Sequence, residues 1–358
     1  MTAAPWRTGT GQVLHVETQQ TLPGLAGLYA RGAAASGRIA AGRALPSLPG
    51  LGSGSQDPDR PLVLPTVALR VSGVTTSELR GHLRDYQRLL HEPVSDVLPA
   101  GYLHVLAFPL ATAVMVRGDF PLPLLGMVHL ANHVEMRGPV RVGDVLEVRA
   151  WAENLRPHRR GVQVDLVAEI WPDGDDSGLP RWRGVSTYLA KGFTAPEPDV
   201  VLPAVPVDPA PRGRTAGRDV VPPEHDLATG ATTSPTDAWV PPLPTGRWAL
   251  GPGTGRAYAA VSGDRNPIHL SSLSAKAFGF PRAIAHGMYT ASRALADVGH
   301  ARGDAYRWTV EFAQPVLLPG TVDVAVTPEL CDTPDGFGYV GWNARRGRRH
   351  FQGEVTPL

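Results

Sequence analysis

Val134-Glu-Met-Arg-Gly-Pro-Val140, followed by Gly143 and the alternating run Asp144-Val-Leu-Glu-Val-Arg-Ala150, decides the fold, because the chain repeats it. At Val310-Glu-Phe-Ala-Gln-Pro-Val316 the same Val, Glu, Pro and Val return at the same spacing, and Gly320 and Thr321-Val-Asp-Val-Ala-Val326 follow. Alternation with period 2 marks strands that bury one face. Each copy continues through a polar turn to a second alternating strand, Gly161 to Ile170 and Phe337 to Trp342. A third follows, Arg183 to Leu189 and His350 to Val355. Order shared across four elements argues for a duplicated domain.

Upstream of these strands each copy opens on helical patterns. In the second, one helix starts near Arg256 and carries Tyr258; after a loop another runs from about His286 to Val298, with Met288, Ala291, Leu295 and Val298 on one face. In the first, Leu79 to Leu90 reads as a helix and His104 to Val116 as an apolar run long enough for a buried one. Helices first and antiparallel strands after them make an α+β architecture, in which a long helix packs into the concave face of a curved sheet.

The same patterns divide the chain. Residues 1–60 are an Ala/Gly/Ser-rich arm with a helix over Gly24 to Ala44 and a turn-rich stretch over Pro46 to Asp59, expected to be peripheral and partly mobile. Residues 61–195 are the first repeat and 245–358 the second. Between them, 196–244 hold 12 of the 36 prolines and no periodic segment, which makes an extended linker.

A chain of 358 residues with 42% hydrophobic content has room for two domains and ample core. Its 34 basic and 33 acidic residues leave a net charge of +1, so no global field holds nucleic acid or an anionic membrane. Arg156, Arg159 and Arg160, and the turn Arg345 to Arg349, read as solvated turns, the second being also a weak candidate for docking an acidic carrier protein. The single cysteine, Cys331, excludes an intrachain disulfide and a thiolate metal cluster and fits a reducing cytoplasm. No run approaches the roughly 20 apolar residues of a spanning helix, so no membrane is expected.

Chemistry concentrates in Ser262-Gly-Asp-Arg-Asn-Pro-Ile-His269. Pro267 keeps Asn266 out of the helical region, so Asp264 and His269 do not share a helix face. A loop folded about Asn-Pro brings a carboxylate and an imidazole together over a space for one water. Hydration of an α,β-unsaturated thioester needs such a pair, one group taking a proton from water as it attacks the β-carbon and the other delivering one to the α-carbon. Ala285-His286-Gly287-Met288 opens the apolar helix, where unpaired N–H groups suit a developing oxyanion; Gly287 is the donor of choice. The plainer alternatives are that Asp264 caps a turn, that His269 satisfies a buried main-chain group and that His286 is structural.

Tyr258-Ala-x-x-Ser-Gly-Asp-x-Asn-Pro-Ile-His269, then Ala-x-x-x-Gly-Phe, then Ile284-Ala-His-Gly-Met288, resembles the signature of MaoC-like dehydratases and R-specific (type-2) enoyl-CoA hydratases. Phe312-x-x-Pro-Val-Leu-Leu-Pro-Gly320 resembles the strand entry that follows it. The whole chain is most similar to the actinobacterial 3-hydroxyacyl-thioester dehydratases in which two hotdog domains are fused. The resemblance implies a double hotdog, reversible hydration of a trans-2-enoyl thioester to an (R)-3-hydroxyacyl thioester, and no metal or redox cofactor. It implies Asp264 and His269 as the catalytic pair, Ser262 and Asn266 as supports and Gly287 as oxyanion donor. Lys276 and Arg282 become candidates for the phosphates of coenzyme A or of a carrier protein's phosphopantetheine arm.

The first repeat departs from the signature. Between Asp85-Tyr86 and Leu103-His104 it reads Gln87-Arg-Leu-Leu-His-Glu-Pro-Val-Ser-Asp-Val-Leu-Pro99, without the Gly-Asp-x-Asn-Pro-x-His order. One active site per chain is therefore expected, with the first hotdog silent and, by the resemblance, opening a tunnel for a bulky acyl chain. Phe108 to Met115 and Pro121 to Met127 are its candidate lining, with core packing an equal reading. His129 and His133 stand four apart but lack a third ligand, and Gly251-Pro-Gly-Thr-Gly255 lacks any nucleotide-binding spacing and reads as a turn. The functions to separate are hydration, hydrolysis of the thioester on the same fold, and a non-catalytic acyl-binding scaffold. The repeats are expected to pair within the chain as a pseudo-dimer, with further dimerisation left open.

Overall fold

The computed structural model describes residues 6–9, 11–44, 62–175, 177–194 and 239–358, with backbone alone over 35–44. The stretch Pro46 to Asp59 and the linker up to residue 238 lie outside the described residues. The arm supplies β1 (His15–Gln19) and α1 (Leu25–Ala44). The first repeat runs β2 (Val67–Thr75), α2 (Arg80–Leu90), α3 (Ala100–Met115), β3 (Val128–Met136), β4 (Val145–His158), β5 (Gly161–Pro172) and β6 (Trp182–Lys191). The second runs β7 (Gly246–Leu250), α4 (Thr254–Ser262), α5 (Pro267–Leu270), α6 (Ser272–Ala277), α7 (Gly287–Val298), β8 (Tyr306–Phe312), β9 (Gly320–Thr327), β10 (Phe337–Asn343) and β11 (Arg349–Pro357).

The described strands form one sheet in the order β1-β2-β4-β5-β6-β3-β8-β11-β10-β9-β7. Apart from β1 the order reads the same from either end, each repeat contributing five strands. The repeats meet at β3 and β8, where Val134 faces Trp308 and Asn132 faces Val310. Val310 is the counterpart of Val134 in the repeated motif, so the reciprocal pairing places a local two-fold axis at this joint. The segment that reveals the duplication is thus the one that joins the two copies.

Each copy wraps its sheet around one helix. In α3 almost every side chain is buried, and it packs on β2, β4, β5 and β6; α7 packs on β8, β9 and β11. A helix apolar on all sides belongs in a core. Leu103, Leu110 and Val114 are fully buried there, each contributing roughly 1.5–3 kcal/mol relative to exposure. The run Leu110 to Met115 therefore packs as core. Register shifts at Val71/Val74, Glu153/Arg156 and Gly341/Trp342 bend the strands that curve around the helices. The architecture is a double hotdog.

Two elements differ from the sequence reading. Each repeat opens on a strand, β2 or β7, ahead of its helices; β7 is only five residues long, with Trp248 and Leu250 its buried positions, too short for alternation to stand out. The arm's described residues, although at the edge of the sheet, also pack on the repeats. β1 pairs in parallel with β2, and Leu28 of α1 is completely buried. No helix among the described residues is long and apolar enough to cross a membrane.

Candidate active site

The helix α4 ends at Gly263, whose left-handed backbone (φ 71°) turns the chain so that its N–H closes on Ala259 O at 3.0 Å. Asp264 follows at once. Its N–H donates to Ser262 Oγ at 3.2 Å, and its Oδ1 accepts from the Asn266 N–H at 3.1 Å. Asn266 then caps α5, its side-chain oxygen accepting from Ile268 N–H at 3.4 Å with Pro267 as the first helical residue. Pro267 thus starts a short helix that presents His269, while Asp264 stays outside it. A β-carbon on Gly255 of α4 would lie 2.1 Å from His269 O, so only glycine lets the two helices close at this point.

His269 is buried, and its Nδ1 donates to Ile284 O at 2.9 Å, which leaves Nε2 with a free lone pair. Burial, with His286 beside it, pushes its pKa down to about 3 against the smaller pull of Asp264 and the Ile284 carbonyl. His286 caps α7, and its Nε2 donates to the main-chain carbonyl of Asp264 at 3.0 Å. The His286 ring stacks on His269 with centroids 3.7 Å apart. Burial raises the Asp264 carboxyl, but His286, His269, the Tyr29 hydroxyl and the Asn266 N–H outweigh it and hold the group below its ordinary value. An ionised carboxylate and a neutral imidazole are the outcome.

Donor atoms of Asp264, His269 and His286 all lie within 4.8 Å of one another. Among the described residues this is the one group with the composition of a metal site. Two of its candidate ligand atoms already have partners, while His269 Nε2 keeps its lone pair. His286 Nε2 serves the Asp264 carbonyl, and Asp264 Oδ1 serves Asn266 N–H and the hydroxyl of Tyr29. The separation equally suits a single water. His129 and His133 do not combine: His129 stacks on Tyr188 at 4.6 Å, whereas His133 faces Glu135 at 3.9 Å.

Gly287 is the first residue of α7, where helix N–H groups lack intrahelical partners. A β-carbon there would meet Phe312 Cζ at 2.9 Å, so the glycine makes room for the Phe312 ring over the helix start. Phe312 in turn lies 5.1 Å from the His129 ring. Lys276 and Arg282 are both exposed.

The sequence reading missed residues that converge on Asp264 from elsewhere. The hydroxyl of Tyr29, on α1, donates to Asp264 Oδ1. His104 on α3 and His129 on β3 feel the Asp264 charge, yet burial drives them to about 4 and about 3, so both are neutral. Tyr188 on β6 is raised by burial and by the same charge. These three residues of the first repeat thus lie within electrostatic reach of Asp264.

The first repeat also holds a counterpart of the loop. α2 ends at His91 in the left-handed region (φ 59°), as α4 ends at Gly263, and Glu92 follows as Asp264 does. Glu92 is buried in a two-pronged pair with Arg302, at 2.8 and 3.1 Å. The spacing from Tyr86 to Glu92 equals that from Tyr258 to Asp264, a signal present in the sequence.

A family model described as a MaoC-like domain matches residues 235–332. The 3-hydroxyacyl-thioester dehydratase X of Mycobacterium tuberculosis is 34% identical over 266 residues, covering 73% of this chain and 79% of that protein. A 3-hydroxybutyryl-CoA dehydratase of Methylorubrum extorquens is 41% identical over 73 residues, 19% of this chain and 46% of that one. The crystal structure of HtdX from Mycobacterium tuberculosis superposes with a TM-score of 0.62 at 29% identity, over 81% of this chain and 100% of the other. A MaoC-like dehydratase from Phytophthora capsici, with a TM-score of 0.56 at 18% identity over 84% and 98%, is alike in fold.

Proposed function

This chain belongs to the MaoC-like dehydratase family, and from that premise we propose how it works as a hydro-lyase of acyl thioesters. Asp264 and His269 hold one water between the free oxygen of the carboxylate and the unprotonated Nε2. In the hydration direction the pair takes a proton from that water as its oxygen bonds to the β-carbon of a trans-2-enoyl thioester. The electrons of the double bond move toward the thioester carbonyl, whose oxygen is held by the Gly287 N–H at the start of α7. The pair then returns the proton to the α-carbon, so an (R)-3-hydroxyacyl thioester leaves and both groups end as they began. Dehydration runs the same steps backwards. Ser262 and Asn266 support the loop.

One observation carries this reading: a half-buried carboxylate held ionised within 4.8 Å of a buried imidazole whose remaining nitrogen carries a lone pair. The thioester is carried by coenzyme A or by a carrier protein's phosphopantetheine arm, with exposed Lys276 and Arg282 as candidate contacts. The first hotdog is catalytically silent, since Glu92 is neutralised by Arg302 and no imidazole stands where His269 stands in the second. The domain limits are 61–195 and 245–358, the chain is an intrachain pseudo-dimer, and the cytoplasm is its compartment. A panel of enoyl-CoA and enoyl-carrier substrates of graded length, read by loss of enone absorbance, tests the activity; release of free thiol from saturated acyl-CoA would instead reveal a thioesterase.

A further inference from the structure

Asp264 has two carboxylate oxygens, and the hydration chemistry needs one of them free and aimed at water. The other must be held. Within the loop, the Asn266 N–H reaches Oδ1 at 3.1 Å. The second hold comes from far away in the sequence. α1 lies upstream of both hotdogs, yet it is docked against each of them. The Leu25 side chain stands where a β-carbon on Gly263 would be, 2.6 Å away. Gly32 fits under Leu124, which a β-carbon there would meet at 2.5 Å, and Leu28 between them is wholly buried. Tyr29 sits next to Leu28, half-buried, and its hydroxyl donates to Asp264 Oδ1.

We propose that Tyr29 is a positioning residue of the hydration site, its hydroxyl holding Asp264 Oδ1 so that Oδ2 faces the reacting water. This rests on the assignment of Asp264 made under the proposed function. It also makes the arm part of the active site, joined to the loop that carries the chemistry rather than merely lying over it. The other groups facing Asp264 are His286 from the start of α7, His269 from α5 and Tyr258 from α4. From the first repeat come Tyr188, His104 and His129. Burial raises the Tyr29 hydroxyl far above its ordinary value, with the Asp264 charge adding to it, so the hydroxyl stays protonated as a donor. The same hydrogen bond is one of those that lower the Asp264 carboxyl.

Tyr29→Phe removes the donor and little else. Its kcat on enoyl-CoA is expected to fall roughly 10- to 100-fold, as for loss of a hydrogen bond to a charged group, while KM stays within about twofold because the substrate is not touched. The acidic limb of its pH–rate profile moves to higher pH, since a carboxylate that loses a donor is easier to protonate. Replacing Tyr29 by 3-fluorotyrosine keeps the donor and retains kcat, and Arg31→Ala, exposed one helical position past Ala30, leaves all three parameters unchanged. The melting temperature of each variant shows whether the fold is intact. An active wild type with Tyr29→Phe unchanged in both kcat and acidic limb overturns the proposal, and so does a rise in KM alone, which would make Tyr29 a substrate contact. A wild type without hydratase activity refutes instead the function on which the proposal rests.

Discussion

The ring of His286 lies on the ring of His269, centroids 3.7 Å apart and planes 24° from parallel, while its Nε2 donates to the main-chain carbonyl of Asp264. One side chain therefore touches both halves of the reacting pair. It keeps His269 hard to protonate and fixes the turn that carries Asp264.

His286→Ala is expected to open this arrangement. His269 is held down to about 3 first by burial and then by His286, so losing the neighbour and admitting water raises its pKa toward the ordinary 6.5. His269 acts as a base only when neutral. Its activity therefore fades at a higher pH than in the wild type, and the acidic limb of kcat/KM shifts upward. An unshifted limb would show that His286 is electrostatically inert.

Gly287→Ala puts a methyl group 2.9–3.0 Å from Cζ and Cε1 of Phe312. Overpacking of this kind costs roughly 1–3 kcal/mol, and it displaces the N–H that holds the thioester oxygen. Both urea stability and kcat should fall. Adding Phe312→Leu should recover much of the stability but less of the activity; recovery of both in equal measure would mean that Gly287 serves packing alone.

Stability should also depend on pH through the buried imidazoles. His104, His129 and His269 sit near 4, 3 and 3 in the folded chain, against an ordinary 6.5, each lowered chiefly by burial. Below about pH 6.5 the unfolded chain binds protons that the folded chain refuses, so stability present above that pH is lost as pH falls. The slope is roughly 1.4 kcal/mol per pH unit for each group. Urea midpoints measured from pH 7 to pH 4 should drop steeply, and His129→Phe, whose ring fits between Tyr188 and Phe312, should flatten the slope. A flat wild-type curve would show these imidazoles to be no more buried than in the unfolded chain.

Glu92 and Arg302 offer a contrast between the two halves. Arg302→Ala leaves a buried carboxylate without its partner, a loss of roughly 3–5 kcal/mol. Replacing both residues with Gln and Met should cost much less, and the folded fraction of either variant should keep its specific activity. Loss of activity by the well-folded double variant would mean that the first half takes part in the chemistry.

The strands that follow the repeated motif were legible because alternation and order are local properties, and the loop from Ser262 to His269 was legible because its donors and acceptors are near neighbours in sequence. What the sequence reading left out depends on tertiary approach. Tyr29 reaches Asp264 across 235 residues, and Arg302 reaches Glu92 across 210. Neither partner carries a local mark of its role. His286 was legible as a helix start but not as a stacked neighbour, since that contact exists only once α5 and α7 meet. β7 escaped because five residues give too few alternations to count, and the apolar run in α3 looked equally fit for a tunnel wall and for the core it forms.

The proposed chemistry requires Asp264 and His269 to act together, and Asp264→Asn tests that most directly. The substitution keeps the size and most hydrogen bonds of the side chain while removing its charge. Offered a trans-2-enoyl-CoA that the wild type hydrates, folded Asp264→Asn protein should leave the enone absorbance unchanged over the time in which the wild type consumes it. Hydration at the wild-type rate would contradict the assignment of this pair.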